Sequence, residues 1–117
     1  MNTNSIKVLL ESLVKLDKPL DIIKHEIQQN AEQLVDIQDM VELYKIDVVN
    51  VMKVFLDKRI SSDDLSVWAE LVEGRDGIQY EEEFQKVIAD VLFWLSSPDI
   101  NGELTNEKVK EYLDYLL

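Results

Sequence analysis

Short stretches whose apolar residues recur every three or four positions alternate along this chain with brief polar or glycine-containing breaks. Ile6, Leu9, Leu10 and Leu13 have the spacing of one helix face, with Thr3 or Asn4 as the cap. Asp17-Lys18-Pro19 ends that helix and starts another, because proline disfavours helix in the residue before it and is tolerated in a first turn. Leu20, Ile23 and Ile27 carry the apolar face onward until Gln28-Gln29-Asn30 weakens it. Residues 31–44 fit a short helix, an irregular connection or an extended piece. Over residues 46–56, Val48, Val51, Met52 and Phe55 form a helical stripe; the β-branched Ile46, Val48, Val49, Val51 and Val54 pull weakly towards strand, and the period favours helix.

The second half is better punctuated. In "ISSDDLSVWAELVEG", Ser61 or Ser62 caps, Asp63 and Asp64 occupy the first turn where the helix dipole favours anions, and Gly74 is the stop. Leu65, Trp68, Ala69 and Val72 make its inner face. A helix over 81–95 is expected next, with Phe84, Val87, Ile88, Val91, Leu92 and Leu95 inward and Glu81, Glu82 and Glu83 in its first turn. "SSPDINGELT" then leads to a last helix over 106–116, capped by Thr105, with Val109, Tyr112, Leu113 and Leu116 inside. No fixed-period repeat or linker divides the chain. The pattern predicts an all-α fold: residues 1–117 as a single-domain bundle of about five to seven short helices.

Charge changes the picture more than composition does. At 46% hydrophobic the chain is globular rather than disordered, and its 117 residues suffice for one core. Its net charge of −12 is uneven: residues 1–58 carry 7 bases and 10 acids, residues 59–117 carry 5 and 14. That disfavours nucleic acid and anionic membrane as partners and permits a basic protein; solubility alone also accounts for it. Cysteine is absent, so no disulfide framework or thiolate site is expected. No apolar run approaches a membrane span, and residues 1–18 lack a signal-type apolar block, so the expected location is cytoplasmic.

Candidate chemistry is sparse. His25, the sole histidine, lies two residues from both Ile23 and Ile27 and so points off their apolar face, into solvent. In "SPDINGEL", Asp99, Asn101 and Gly102 match calcium-loop positions, but placing Gly102 sixth puts Lys108 twelfth, where a bidentate glutamate is needed; a helix–helix turn explains the same letters. No catalytic, cofactor-binding or metal-binding residue is assigned, and no cofactor is expected. Trp68 and Trp94 fall on or beside apolar stripes, and Trp94, next to Phe93, is placed to reach a second helix or a partner. In "WAELVEGRDGIQYEEEF", glycines explain most of the punctuation, and Arg75 between Glu73 and Asp76 reads as an arginine–carboxylate clasp closing the corner.

From Val41 onward the elements resemble a group of small, acidic, all-helical bacterial proteins, largely uncharacterised. The resemblance runs through a helix ending in Phe55-Leu56, "ISSDDLSVWA", "EGRDGIQYE", a long helix and "PDINGELT". It covers about two thirds of the chain, residues 1–40 matching only loosely through a Pro-Leu helix start. Several such proteins look like immunity proteins of contact-dependent growth inhibition and related polymorphic toxin systems. The resemblance implies a cytoplasmic protein that neutralises a toxin domain, often a nuclease, by covering its active site or an adjacent surface. It carries no catalytic residues. Since a nuclease surface is basic, the expected contact residues are the acids Asp63, Asp64, Glu70, Glu73, Asp76, Glu81, Glu82 and Glu83, with Tyr80 and Trp94 as apolar anchors. A non-catalytic helical adaptor, alone or self-associating, is the other reading; an enzyme is disfavoured because no histidine or cysteine constellation supports it.

Overall fold

The computed structural model describes residues 3–117. Helix α1 (Thr3–Lys15) turns Ile6, Leu9, Leu10, Leu13 and Val14 inward and stops at Leu16, which takes a positive φ of 50°. Pro19 then serves as the N-cap of α2 (Leu20–Gln29), whose buried residues are Ile23 and Ile27. Beyond a 3₁₀ turn (Ala31–Leu34) that buries Leu34, the chain runs through residues 35–40 into strand β1 (Val41–Leu43). Helices α3 (Lys45–Leu56) and α4 (Ser62–Val72) follow, then strand β2 (Ile78–Tyr80), a second 3₁₀ turn (Glu82–Phe84), α5 (Gln85–Ser96), a single-turn α6 (Pro98–Asn101) and α7 (Asn106–Leu116).

Helices α4 and α5 pack most extensively, and α1, α3 and α7 close around them. Trp68 lies at the centre with no solvent exposure. Its Nε1–H donates to the Leu13 carbonyl at 2.8 Å, satisfying an indole that would otherwise be buried unpaired and joining α4 to the end of α1. Nearby, Lys15 Nζ reaches the buried Asp47 carboxylate at 2.6 Å, and Asp47 also accepts the Tyr44 N–H at 2.9 Å. One carboxylate thus caps α3 and ties it to α1. The radius of gyration, 13.7 Å, is close to the roughly 13 Å expected for a compact chain of this length.

The fold is all-α, as the periodicity predicts, with one addition. Strands β1 and β2 pair in parallel, Val41 opposite Ile78 and Leu43 opposite Tyr80, with α3 and α4 as the crossover. All three readings of residues 31–44 hold in part: a 3₁₀ turn, an irregular connection, then an extended strand. The expected helix over 81–95 is corrected. Pairing with β1 keeps 78–80 extended, Glu81 leaves the strand at φ −50°, ψ 121°, and the α-helix begins only at Gln85. Of its expected inward set, Ile88, Val91, Leu92 and Leu95 are buried, whereas Phe84 and Val87 are half-buried. Ser61 caps α4 through Asp64 N–H, with Asp64 returning the bond to Ser61 N–H, and Thr105 caps α7 through Lys108 N–H. Asn4 lies inside α1 rather than capping it, and the Thr3 side chain lies outside the described residues.

Candidate functional site

The corner between α4 and α5 is built by backbone bonds around two glycines. Gly74, at φ +64°, ends α4; its N–H donates to the Tyr80 hydroxyl at 3.1 Å, so the turn closes onto the strand that follows it. Arg75 N–H donates to the Val72 carbonyl at 3.2 Å and Ile78 N–H to the Arg75 carbonyl at 3.3 Å. Gly77, at φ +90°, accepts from the N–H groups of Met40 and Val41 at 3.0 and 3.1 Å, drawing residues 36–41 over the corner. Asp76 completes the junction by accepting the Asp36 N–H at 2.7 Å. Two segments forty residues apart thus form one surface.

Between them lies an open groove of ≈ 680 Å³. Ile37, Ile78 and Ala89 supply apolar wall; Asp39, Arg75, Asp76, Gln79, Tyr80, Gln85 and Lys86 supply polar edges. Burial pushes the Tyr80 hydroxyl above its ordinary pKa, against the stabilising Gly74 bond, with the Glu73 charge adding to the rise. Burial also draws Arg75 below its ordinary value, with Asp76 pulling the other way.

The expected carboxylate clasp of Arg75 is not formed. Among the described residues Arg75 makes no ion pair; its Nε–H donates to the Leu71 carbonyl one turn back, while Glu73 accepts the Ser96 hydroxyl at 2.8 Å and Asp76 is held by Asp36. The cause is positional. Gly74 turns the chain so that the arginine folds back on α4, whose last carbonyls lack helical partners.

The ten expected contact residues separate into two groups. Six have structural work: Asp64 in the α4 cap, Glu73 on Ser96, Asp76 on Asp36, Tyr80 under Gly74, Glu81 and Trp94. Glu81 Oε1 accepts the Lys45 N–H at 2.9 Å, so it caps α3 across the strand pair instead of starting the following helix. Trp94 packs between Tyr112 and Tyr115, ring centroids 5.0 and 4.9 Å away, and so reaches the second helix, α7. Asp63, Glu70, Glu82 and Glu83 are exposed, and no described group bonds their carboxylates. Asp63 and Glu70 share one face of α4, being seven residues apart. Only Asp76 and Tyr80 of the ten line the groove.

Two features were missed from sequence. Asp90 on α5 accepts Tyr115 Oη–H at 2.6 Å and Lys86 Nζ at 3.0 Å, clamping α7 to α5. Glu107, Glu111 and Asp114 lie exposed on one face of α7; their i, i+4, i+7 spacing is visible in the sequence. His25 is exposed, and Lys108 Nζ lies 3.4 Å from where a Cβ on Gly102 would sit, so a cation occupies the loop that resembled a calcium site. Among the described residues no cluster of three or more His, Cys, Asp or Glu side chains is placed to hold a metal, and no helix is long and apolar enough to cross a membrane.

Comparison with protein-family models, with curated proteins and with solved structures finds no match.

Proposed function

We propose that this chain is a non-catalytic binding protein that neutralises a basic, nuclease-type toxin domain in the cytoplasm by covering its active site or an adjacent surface. The observation that carries the reading is the set of exposed carboxylates without intramolecular partners on the second half of the molecule. Residues 59–117 hold 14 acids and 5 bases, yet only Lys86–Asp90 forms an ion pair there among the described residues. Asp63 and Glu70 on α4, Glu82 and Glu83 before α5, and the acidic face of α7 remain available to an external cation. Such a field steers a basic partner into encounter and sets orientation more than it sets raw affinity. The resemblance of its turn motifs to those of small helical proteins that look like immunity proteins supports the same reading.

An adaptor that binds through apolar contact is favoured by one separate observation. Ile100, on α6, is 76% exposed, and Phe93, near the end of α5, is 42% exposed.

The two readings separate in one experiment. The protein is co-expressed with the C-terminal domain encoded immediately upstream of its gene, and binding is measured at low and physiological salt alongside growth of cells making that domain. Growth rescue with tight, salt-weakened binding is the expected result. An upstream domain that is neither toxic nor bound overturns the toxin reading.

A further inference from the structure

The link between α5 and α7 contains the sole Asn-Gly step in the sequence, Asn101-Gly102. Asparagine before glycine is where a side-chain amide is most readily lost, because no Cβ keeps the following backbone nitrogen away from the carboxamide carbon. Bonds within α6 oppose that approach. Gly102 N–H donates to the Pro98 carbonyl at 2.8 Å, which holds the nitrogen that would attack and keeps it protonated. Asn101 Nδ2–H donates to the Ser97 carbonyl at 3.2 Å, which draws the carboxamide back along the turn. This guard is slight. Helix α6 is four residues long, a single turn that is too short to hold without its neighbours. Gly102 is exposed, so water and solvent base reach the step from outside.

We propose that Asn101 is a site of spontaneous deamidation gated by the opening of α6. When the turn opens, the Gly102 nitrogen gives its proton to solvent base and bonds to Asn101 Cγ; the Cγ–Nδ2 bond breaks and ammonia leaves. Water then opens the resulting succinimide at either carbonyl. One route gives aspartate, and the other gives isoaspartate, whose backbone runs through the former side chain and is one methylene longer. Each product adds a negative charge to a half that already holds 14 acids and 5 bases, next to Ile100, which is 76% exposed. The longer isoaspartate backbone also moves Gly102 N–H out of register with the Pro98 carbonyl, so the turn does not re-form. The rate at Asn101 is that of an unstructured chain multiplied by the fraction of time α6 is open. Hydrogen exchange at the Gly102 amide reports the same fraction. The assignment holds whether or not the partner is a toxin.

The test incubates the full chain in warm, mildly alkaline buffer beside a reference peptide of residues 97–105. Mass spectrometry of the digested chain follows carboxamide replaced by carboxylate at each asparagine, and chromatography separates aspartate from isoaspartate. Asn101 should be modified ahead of Asn30, Asn50 and Asn106, whose following residues all carry a Cβ. In the folded chain it should react at least about tenfold more slowly than in the peptide, and that slowing should match the protection of the Gly102 amide against hydrogen exchange. Pro98→Gly, which loosens the first helical position of α6, should raise the rate at Asn101 several-fold. The rates at Asn30 and Asn50, in other elements, should stay unchanged and report that the variant is folded. A folded-chain rate equal to that of the peptide, a slowing unrelated to the Gly102 amide protection, or faster modification at another asparagine would overturn the proposal. So would a Pro98→Gly rate at Asn101 no higher than that of the wild type.

Discussion

Gly74 and Gly77 both take positive φ within one corner, yet their surroundings differ. A Cβ on Gly77 would stand 2.7 Å from Ile37 Cδ1 and 2.8 Å from Leu10 Cδ1, while nothing lies within 4 Å of one on Gly74. Both atoms are side-chain ends and Leu10 is fully buried, so Gly77→Ala adds repacking of Leu10 and Ile37 to the backbone strain and should cost about 2–3 kcal/mol. Gly74→Ala meets only the conformational strain and should cost about 1 kcal/mol. Urea denaturation of the two variants measures the difference. Equal costs would mean that Ile37 and Leu10 relax freely around the added methyl. At this same scale, two carboxylates that look alike in sequence have unlike roles: Glu81 caps α3, whereas Glu82 is exposed and no described group bonds it.

Between elements, the contact of α5 with α7 is both aromatic and electrostatic. Trp94 fills the space beside Tyr112 and Tyr115, and Asp90 holds Tyr115 and Lys86 together. The hydrogen bond from Tyr115, then that from Lys86, holds the Asp90 carboxyl below its ordinary pKa; the same carboxylate raises both Lys86 and Tyr115. The signs define two limbs. A depressed aspartate stabilises the fold above its unfolded pKa of about 4, and that contribution is lost as pH falls through the lower folded value. A raised tyrosine and lysine stabilise below their ordinary values of about 10, and that contribution is lost as pH rises through the folded values. The melting temperatures of the wild type and Asp90→Asn should therefore differ most across the neutral range and converge at both extremes. A gap independent of pH would show that the clamp does not titrate as described.

For the molecule as a whole, the uneven charge sets the terms of association. Asp63→Asn/Glu70→Gln removes two exposed carboxylates that no described group bonds, so stability should stay within about 0.5 kcal/mol of the wild type. Association with the basic partner proposed above should slow, and its salt dependence should flatten. Stopped-flow mixing at two ionic strengths, with urea denaturation as control, separates the effects. Unchanged kinetics would place the encounter surface elsewhere, with the acidic face of α7 the next to test.

The legible part of this fold was the part set by local rules. The Ser61 and Thr105 caps, the stop at Gly74 and the inward stripe of Leu65, Trp68, Ala69 and Val72 follow from three- and four-residue periodicity and from cap chemistry, both of which act within one or two turns. The strand pair was not legible, because "VEL" and "IQY" are each three residues long and each becomes a strand only through bonding to the other. The same holds for the site. The sequence by itself determined an all-α chain with surplus acid in its second half. Only the tertiary structure decided which acids are committed to it, since Glu73, Asp76 and Glu81 bond to groups 23, 40 and 36 residues distant. It also decided that Arg75 would fold back on the Leu71 carbonyl, because the turn at Gly74 carries it over the end of α4.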